Sequence, residues 1–271
     1  MRKKLKVAKQ TALIICFAIA VIHIVHGLTL DRTMQYLEVD FCSPALPAGL
    51  DGLRVAFITD THEISQSRLW EVVDELNRRS LDLLLLGGDF SSNAAHMHAT
   101  LAVLSQVKTT QGIFGVEGNH DSHLLLFAAM QEHGMTALSN SGVEVYPGFY
   151  LAGLEDLQNR NPCIATAVSG ATQGDFVLLL THNPDVTMRQ DTTGVDLVLA
   201  GHSHGGQITF FGVWAPYLTF TRHVTRYGQR FRSGWAQSRD GVPVFVSSGT
   251  GQYLPRIFAR PQVIILTLRH S

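Results

Sequence analysis

The chain has 271 residues, of which 45% are hydrophobic and 16% are charged, and its formal net charge is -1. This composition excludes a disordered chain, because disorder combines low hydrophobicity with high net charge. Three widely spaced cysteines, Cys16, Cys42 and Cys163, also exclude a small disulfide-stabilised domain. No cysteines have zinc-finger spacing, so a metal site in this chain must use oxygen and imidazole ligands.

Positive charge is concentrated at the N-terminus, and the rest of the chain is acidic on balance. Only Lys108 follows Lys9 among the lysines, and the first acidic residue is Asp31. A protein that binds nucleic acid needs a basic surface to neutralise phosphates, so we expect no nucleic-acid partner. The N-terminal basic residues are Arg2, Lys3, Lys4, Lys6 and Lys9.

Residues 11–30 contain no Lys, Arg, Asp or Glu and predict a transmembrane anchor. As a helix they would extend over ~30 Å, the thickness of a bilayer's hydrocarbon core. The basic segment 1–10 precedes them, which favours a cytoplasmic N-terminus and an extracytoplasmic domain. A cleaved signal peptide is the alternative, since Ala18 and Ala20 resemble a cleavage site, but the apolar run continues beyond them.

After the anchor, residues 31–50 are predicted to be a connector, with Pro44 and Pro47 interrupting any helix. An alternation of strands and helices follows, which predicts parallel strands with helices packed outside them. The predicted elements are strand 53–59, helix 66–79, strand 81–86, helix 94–107, strand 112–116 and helix 122–133.

The second half of the chain contains strand-like runs with few convincing helices, and we expect several of these strands to be antiparallel. Together with the first half they predict one α/β domain with two sheets over residues 51–271. The predicted strands are 149–154, 176–181, 195–200, 207–211, 242–247 and 263–268.

Polar side chains follow five of the predicted strands directly. Because ligands of an α/β sheet bind beyond the carboxyl ends of its strands, these side chains are candidate site residues. The segments are Asp60-Thr61-His62, Gly87-Gly88-Asp89, Gly118-Asn119-His120-Asp121, Thr181-His182-Asn183 and Gly201-His202-Ser203-His204-Gly205-Gly206.

Each of these motifs alone is weak, since a buried histidine is more often a core residue than a ligand. Their conjunction supplies carboxylates, imidazoles and an amide oxygen, which suit a pair of divalent ions such as Mn, Fe or Zn. A bridging carboxylate would hold such ions ~3.5–4 Å apart, the spacing used in phosphoryl transfer.

The order of the five motifs resembles the calcineurin-like metallophosphoesterase superfamily over roughly residues 50–270. The segments Gly201–Gln207, Arg226–Gly228 and Val246–Gly251 are further similar to the membrane-associated phosphodiesterase branch typified by YaeI and YkuE. The resemblance implies a four-layer αββα sandwich of two mixed β-sheets. It also implies a bacterial membrane protein. Together with the apolar run and the basic segment before it, this predicts a single-pass protein of the inner membrane whose domain lies on the extracytoplasmic face.

Carried over residue by residue, the resemblance implies a role for each motif. One metal would be bound by Asp60, His62 and His204, and the other by Asn119, His182 and His202, with Asp89 bridging the two. His120 would bind no metal but would protonate the leaving oxygen, and Asp121 would orient the His120 imidazole. A metal-bridging hydroxide would attack the phosphorus in line.

The predicted function is hydrolysis of phosphodiester or diphosphate bonds, in a substrate that the anchor suggests is lipid-linked or a nucleotide-lipid. Two alternatives stay open. One is a UDP-2,3-diacylglucosamine diphosphatase of lipid A synthesis, although that reaction belongs to the cytoplasmic face. The other is a non-catalytic scaffold on the same fold, against which the complete ligand set argues.

Outside the motifs, basic residues in the second half are candidates for contact with a second phosphate, although a solvated strand edge is the simpler interpretation. His96 and His98 are interpreted as helix-face residues rather than a third metal site. The oligomeric state is not predicted. The basic residues are Arg222, Arg226, Arg230, Arg232 and Arg256.

Overall fold

The computed structural model describes residues 2–251 and 255–271. Its first element is an apolar helix of 27 residues whose side chains are mostly exposed. Within the described residues, this helix is long and apolar enough to cross a membrane. The helices are α1 (Arg2–Leu28), α2 (Gln66–Leu76), α3 (Ala94–Leu104), α4 (His123–Glu132), α5 (Ile164–Ala167) and α6 (Pro216–Phe220).

The remaining chain forms two sheets of six strands each. The first has the order β1-β12-β2-β3-β4-β5, and the second has the order β10-β11-β9-β8-β7-β6. The strands are β1 (Gln35–Ser43), β2 (Leu53–Ile58), β3 (Leu81–Leu86), β4 (Thr109–Gly115), β5 (Thr136–Ala137), β6 (Ser141–Tyr146), β7 (Phe149–Gly153), β8 (Phe176–Leu180), β9 (Leu197–Ala200), β10 (Gly234–Gln237), β11 (Pro243–Val246) and β12 (Gln262–His270).

Both sheets are mixed. In the first, β2, β3, β4 and β5 are parallel, while β12 is antiparallel to β2 and parallel to β1. In the second, β7, β8, β9 and β11 are parallel, and the edge strands β6 and β10 are antiparallel to their neighbours. The predicted strands 149–154, 176–181, 195–200 and 242–247 therefore run parallel to one another, and the expectation of antiparallel pairing holds only for the last strand.

The layers follow from the alternation of side chains along each strand. Leu84 and Leu86 of β3 face α2, α3 and α4, whereas Leu83 and Leu85 face the second sheet. The outer face of the second sheet is covered by α5 and by the 3₁₀ segments 184–188 and 228–231. Each fully buried leucine contributes about 1.5–3 kcal/mol of transfer free energy. The result is the four-layer αββα arrangement expected from the resemblance.

Residues 31–50 are not a connector, because β1 occupies nine of them and pairs with β12. Leu37, Val39 and Phe41 pack toward the layer between the sheets, while Glu38 and Asp40 point away from it. The prolines therefore end an edge strand rather than interrupt a linker. The α/β domain consequently begins near Gln35 instead of residue 51.

Residues 207–211 are not a strand. Ile208 and Phe210 form only isolated bridges, to Ile257 and Trp214, and the chain turns at Phe211 and Gly212. Gly212 and Phe211 have positive φ, which is incompatible with an extended strand.

Candidate metal centre

The loops that follow β2, β3, β4, β8 and β9 meet at one edge of the two sheets. Five of their polar residues have a positive φ, between 42° and 72°, a region that non-glycine residues rarely adopt. Such backbone strain is sustained where the surrounding structure requires a side chain in one position. The five residues are Asp60, His62, Asp89, His202 and His204.

The first group consists of Asp60, His62 and His204. The Nε2 atoms of His62 and His204 are 3.1 Å apart, and Nε2 of His204 lies 3.5 Å from Oδ1 of Asp60. The backbone N–H of His202 and the hydroxyl of Thr59 donate to the Asp60 carboxylate and fix its orientation. Three ligand atoms therefore face one point.

The second group consists of Asp89, His182 and His202, and Asn119 lies beside it. Nε2 of His182 is 3.0 Å from Nδ1 of His202 and 3.1 Å from Oδ1 of Asn119. The opposite ring nitrogens contact backbone carbonyls, of Gly87 for His182 and of Val224 for His202. An N–H that donates to a carbonyl leaves the other nitrogen as a lone-pair donor, so both rings are oriented as metal ligands.

Asp89 connects the two groups. Its Oδ2 lies 3.7 Å from Nε2 of His62 and 3.3 Å from Nε2 of His182, while its Oδ1 accepts the backbone N–H of His120 at 2.8 Å. This position between the groups is the one that a bridging carboxylate occupies.

Glycines make room for the two carboxylates. A Cβ at Gly118 would overlap the Asp89 carboxylate, and a Cβ at Gly201 would overlap that of Asp60. The backbone therefore approaches each carboxylate so closely that only glycine fits these two positions.

The electrostatics of the centre favour cations. Burial lowers the pKa of His62 to about 4 and that of His202 to about 3, and it lowers the pKa of His204 well below its usual range. These imidazoles are neutral near pH 7 and can coordinate a metal. Burial also acts against a charged His182, but Asp89 and Asp60 outweigh it and raise its pKa to about 10.

The residues present therefore fit two divalent ions. The ligand atoms of each group lie within 4.8 Å of one another, and the donor set of carboxylate oxygens and imidazole nitrogens suits Mn, Fe or Zn. The buried carboxylates hold positive charge on His182, and a divalent ion bound there would replace that proton.

The side chains of His120 and Asp121 lie in different surroundings, although the two residues are adjacent in the sequence. The His120 ring is exposed at the edge of the centre, 5.4 Å from the His62 ring. The Asp121 carboxylate instead accepts the backbone N–H groups of Asp89 at 2.7 Å, Phe90 at 2.9 Å and Gly118 at 2.9 Å. Asp121 thus shapes the two ligand-bearing loops, and the contacts do not support its predicted role of orienting the His120 imidazole.

Two pockets flank the centre, and Val224 lies in the wall of both. The first, here called the basic pocket, has a volume of about 340 Å³, and the second, the apolar groove, about 350 Å³. The basic pocket is lined by Leu157, Gln158, Asn183, Asp185, Arg189, Arg222, His223, Val224 and Arg226. The apolar groove is lined by Ser203, His204, Gly206, Gln207, Ile208, Tyr217 and Val224.

Only some of the candidate phosphate-binding arginines line the basic pocket. Arg222 and Arg226 line the basic pocket from a loop rather than a strand edge, together with Arg189, which the sequence did not single out. Arg256 is 1% exposed, and its Nη1 donates to the carbonyls of Ser248 and Ala259, so it cannot meet a substrate phosphate.

Arg230 and Arg232 do not line the basic pocket. Gln158 is a further residue that no sequence motif marks. Its side-chain amide lies 3.2 Å from Nε2 of His202.

His96 and His98 lie on α3, away from both groups, and contact Glu63 and Glu132. This agrees with their interpretation as helix-face residues.

Comparison with known proteins agrees with this geometry. The chain is 29% identical over 251 residues to the metallophosphoesterase YkuE of Bacillus subtilis, covering 84% of this chain and 83% of that protein. It is 26% identical over 285 residues to a zebrafish (Danio rerio) transmembrane protein with metallophosphoesterase domain, which covers 96% of this chain. The chain spans only 62% of the zebrafish protein's length.

Among solved structures, the phosphopantetheinyl hydrolase PptH of Mycobacterium tuberculosis is similar at 12% identity with a TM-score of 0.44, covering 78% of this chain and 96% of that one. Residues 53–206, which include all the ligand-bearing loops, match the family described as calcineurin-like phosphoesterase. The chain therefore belongs to the calcineurin-like phosphoesterase family, and its relatives include the YkuE branch of metallophosphoesterases.

Proposed function

We propose that this chain is a membrane-anchored, dinuclear metal-dependent phosphoesterase that hydrolyses phosphodiester or diphosphate bonds. The observation that carries the proposal is the position of Asp89 between two groups of imidazole and carboxylate ligands. A scaffold that had lost its activity would have no reason to keep these buried polar side chains together, because their burial is costly without a ligand.

Asp60, His62 and His204 would hold one metal, and Asn119, His182 and His202 the other, with Asp89 shared between them. Two divalent metals in such a pair supply charge neutralisation for the phosphoryl oxygens and lower the pKa of water. The chain's own contribution is to hold the ligand atoms in place through the backbone contacts of Gly87, Val224 and His202.

His120 would act as the general acid. Its backbone is fixed by the N–H donated to Asp89, and its ring is exposed beside the first group. A protonated imidazole at this position can donate its proton to the alkoxide or phosphate that leaves.

The flanking pockets support a finer proposal about the substrate. Arg189, Arg222 and Arg226 offer positive charge for a second phosphate or another anionic group, which suits a diphosphate. The apolar groove on the other side of Val224 suits a hydrocarbon chain. Together they favour a lipid-linked or nucleotide-lipid substrate.

Membrane attachment would be provided by α1, with the basic segment 1–10 in the cytoplasm and the domain on the extracytoplasmic face of a bacterial inner membrane. A reporter enzyme fused to the C-terminus tests this orientation. A cytoplasmic reporter would contradict it and would favour a UDP-2,3-diacylglucosamine diphosphatase.

The full-length protein, purified in detergent and loaded with Mn²⁺, should hydrolyse bis-p-nitrophenyl phosphate. Asp89→Asn should abolish this activity, because the neutral amide no longer serves both groups. Asp40→Asn, an exposed position on β1, is the matched control and should retain it. Wild-type turnover by Asp89→Asn, or well under one divalent ion per wild-type chain, would contradict the dinuclear site.

A further inference from the structure

A second exposed apolar surface lies beside the metal centre. Residues 208–221 contain no Asp, Glu, Lys or Arg. Of the eleven large exposed hydrophobic side chains described after Leu30, seven lie in this segment. We call these seven the aromatic patch: Ile208, Phe210, Phe211, Val213, Trp214, Tyr217 and Phe220.

The fold holds the patch outward through a tight turn. The N–H of Phe210 donates to the carbonyl of Trp214 at 2.7 Å, and the N–H of Val213 donates to that of Phe210 at 3.0 Å. Phe211 has a φ of 52°, which is unfavourable for a bulky residue. The chain thus accepts backbone strain at a position where a phenylalanine side chain is exposed.

The patch is continuous with α1. The His23 ring lies 5.2 Å from that of Phe210 and 4.6 Å from that of Phe211. N-terminal to His23, the apolar side chains of α1 are largely exposed. The aromatic patch therefore lies against the C-terminal part of the candidate membrane span.

The composition of the patch suits a lipid interface. Trp and Tyr are enriched at the boundary between hydrocarbon and headgroups, because their rings are apolar and carry one polar atom. Arg222 and His223 follow the patch directly and are exposed, where a cationic side chain can contact lipid phosphate. Contiguous exposed apolar surface of this kind marks an interaction site.

We propose that the aromatic patch inserts into the interfacial region of the bilayer that α1 spans and forms a second membrane contact. Ile208 and Tyr217 belong to both the patch and the apolar groove, which His204 also lines. The hydrocarbon chain of a membrane-resident substrate then reaches the metal centre along the groove without leaving an apolar surface. This substrate class rests on the proposed function, whereas the membrane contact is measured independently of it.

The first test uses full-length protein in phosphatidylcholine–phosphatidylglycerol proteoliposomes that contain brominated phosphatidylcholine. One variant keeps only Trp214 (Trp70→Phe, Trp235→Phe), and its matched control keeps only Trp235 (Trp70→Phe, Trp214→Phe). The two indoles are similarly exposed, at 39% and 48%. The bromines should quench the fluorescence of Trp214 at least about twofold more than that of Trp235, because Trp214 would lie in the membrane interface. Equal quenching of the two would overturn the proposal.

The second test changes the most exposed side chains of the patch. Val213→Ser with Phe220→Ser should reduce the quenching of Trp214 toward the level of Trp235, since both side chains are about three-quarters exposed. Leu124→Ser with Leu125→Ser on α4 is the control and should leave the quenching unchanged. Quenching that survives the patch substitutions would also overturn the contact.

Both double variants should hydrolyse bis-p-nitrophenyl phosphate like the wild type, because neither touches the metal centre. An inactive wild type with strongly quenched Trp214 would refute the proposed function and leave the membrane contact standing. Each of the two proposals can therefore be refuted without refuting the other.

Discussion

The basic pocket and the apolar groove have nearly the same volume and share Val224, yet their chemistry is opposite. Three arginines line the first, and Ile208 and Tyr217 line the second. The metal groups lie between them, with Gln158 of the basic pocket against His202 and His204 in the wall of the groove. Under the proposed function, the centre would carry out the hydrolysis, and its two flanks would select a substrate with one charged and one apolar end.

Among the substitutions outside the metal ligands, the basic pocket and the apolar groove, His120→Ala should lower turnover the most. Loss of a general acid lowers turnover by about 10²–10⁴-fold. The loss should be large for a diester whose leaving group is an alkoxide and much smaller for bis-p-nitrophenyl phosphate, because p-nitrophenolate leaves without a proton. Metal content measured by mass spectrometry should not change. His98→Ala, on the exposed face of α3, is the control. A loss of bound metal in His120→Ala would place His120 among the ligands instead.

Asp121→Asn should act through the loops rather than through the reaction. Replacing a partner of the ligand-bearing backbone lowers metal affinity by about 10–100-fold. A Mn²⁺ titration of activity should therefore shift to higher concentration and still reach nearly full turnover. Asp191→Asn, in an exposed turn, is the control. A low plateau at saturating Mn²⁺ would restore the interpretation that Asp121 orients His120.

Arg222→Gln with Arg226→Gln should separate the two flanks. We expect KM for a diphosphate substrate to rise by about tenfold, or about 1.4 kcal/mol, because the second anionic group loses its partners. KM for bis-p-nitrophenyl phosphate should change little. Arg78→Gln with Arg239→Gln, two exposed arginines outside the basic pocket, controls for net charge. An equal effect on both substrates would show that the basic pocket does not recognise a second phosphate.

Sequence reasoning succeeded where hydrophobic runs ended in polar residues. Strand 81–86 is found at its predicted bounds, and the seven side chains predicted to be ligands lie in the two groups or beside them. Their role as metal ligands stays a prediction. Buried parallel strands are continuous apolar runs, and their carboxyl ends must meet at one edge, so local signals were sufficient.

The predictions that failed concern β1, Arg256 and Asp121, and they have two causes. β1 is a half-exposed edge strand whose alternation of Leu37, Val39 and Phe41 is weaker than a buried run. The burial of Arg256 depends on how its own loop folds onto the carbonyls of Ser248 and Ala259, and the position of Asp121 depends on its contact with the loop that follows β3. Such contacts leave no periodic pattern in the sequence.

The short passage from α1 to β1 limits how far the domain can lie from the end of α1. Only residues 29–34 separate the two elements, and Asp31 fastens this passage by accepting the N–H groups of Phe258 and Ala259 and contacting His26. Six residues extend over at most about 20 Å even when fully stretched, and these are folded. In the proposed orientation this short passage would hold the metal centre at a nearly constant distance from the membrane surface that α1 enters. Phosphoesters on a neighbouring membrane lie beyond its range.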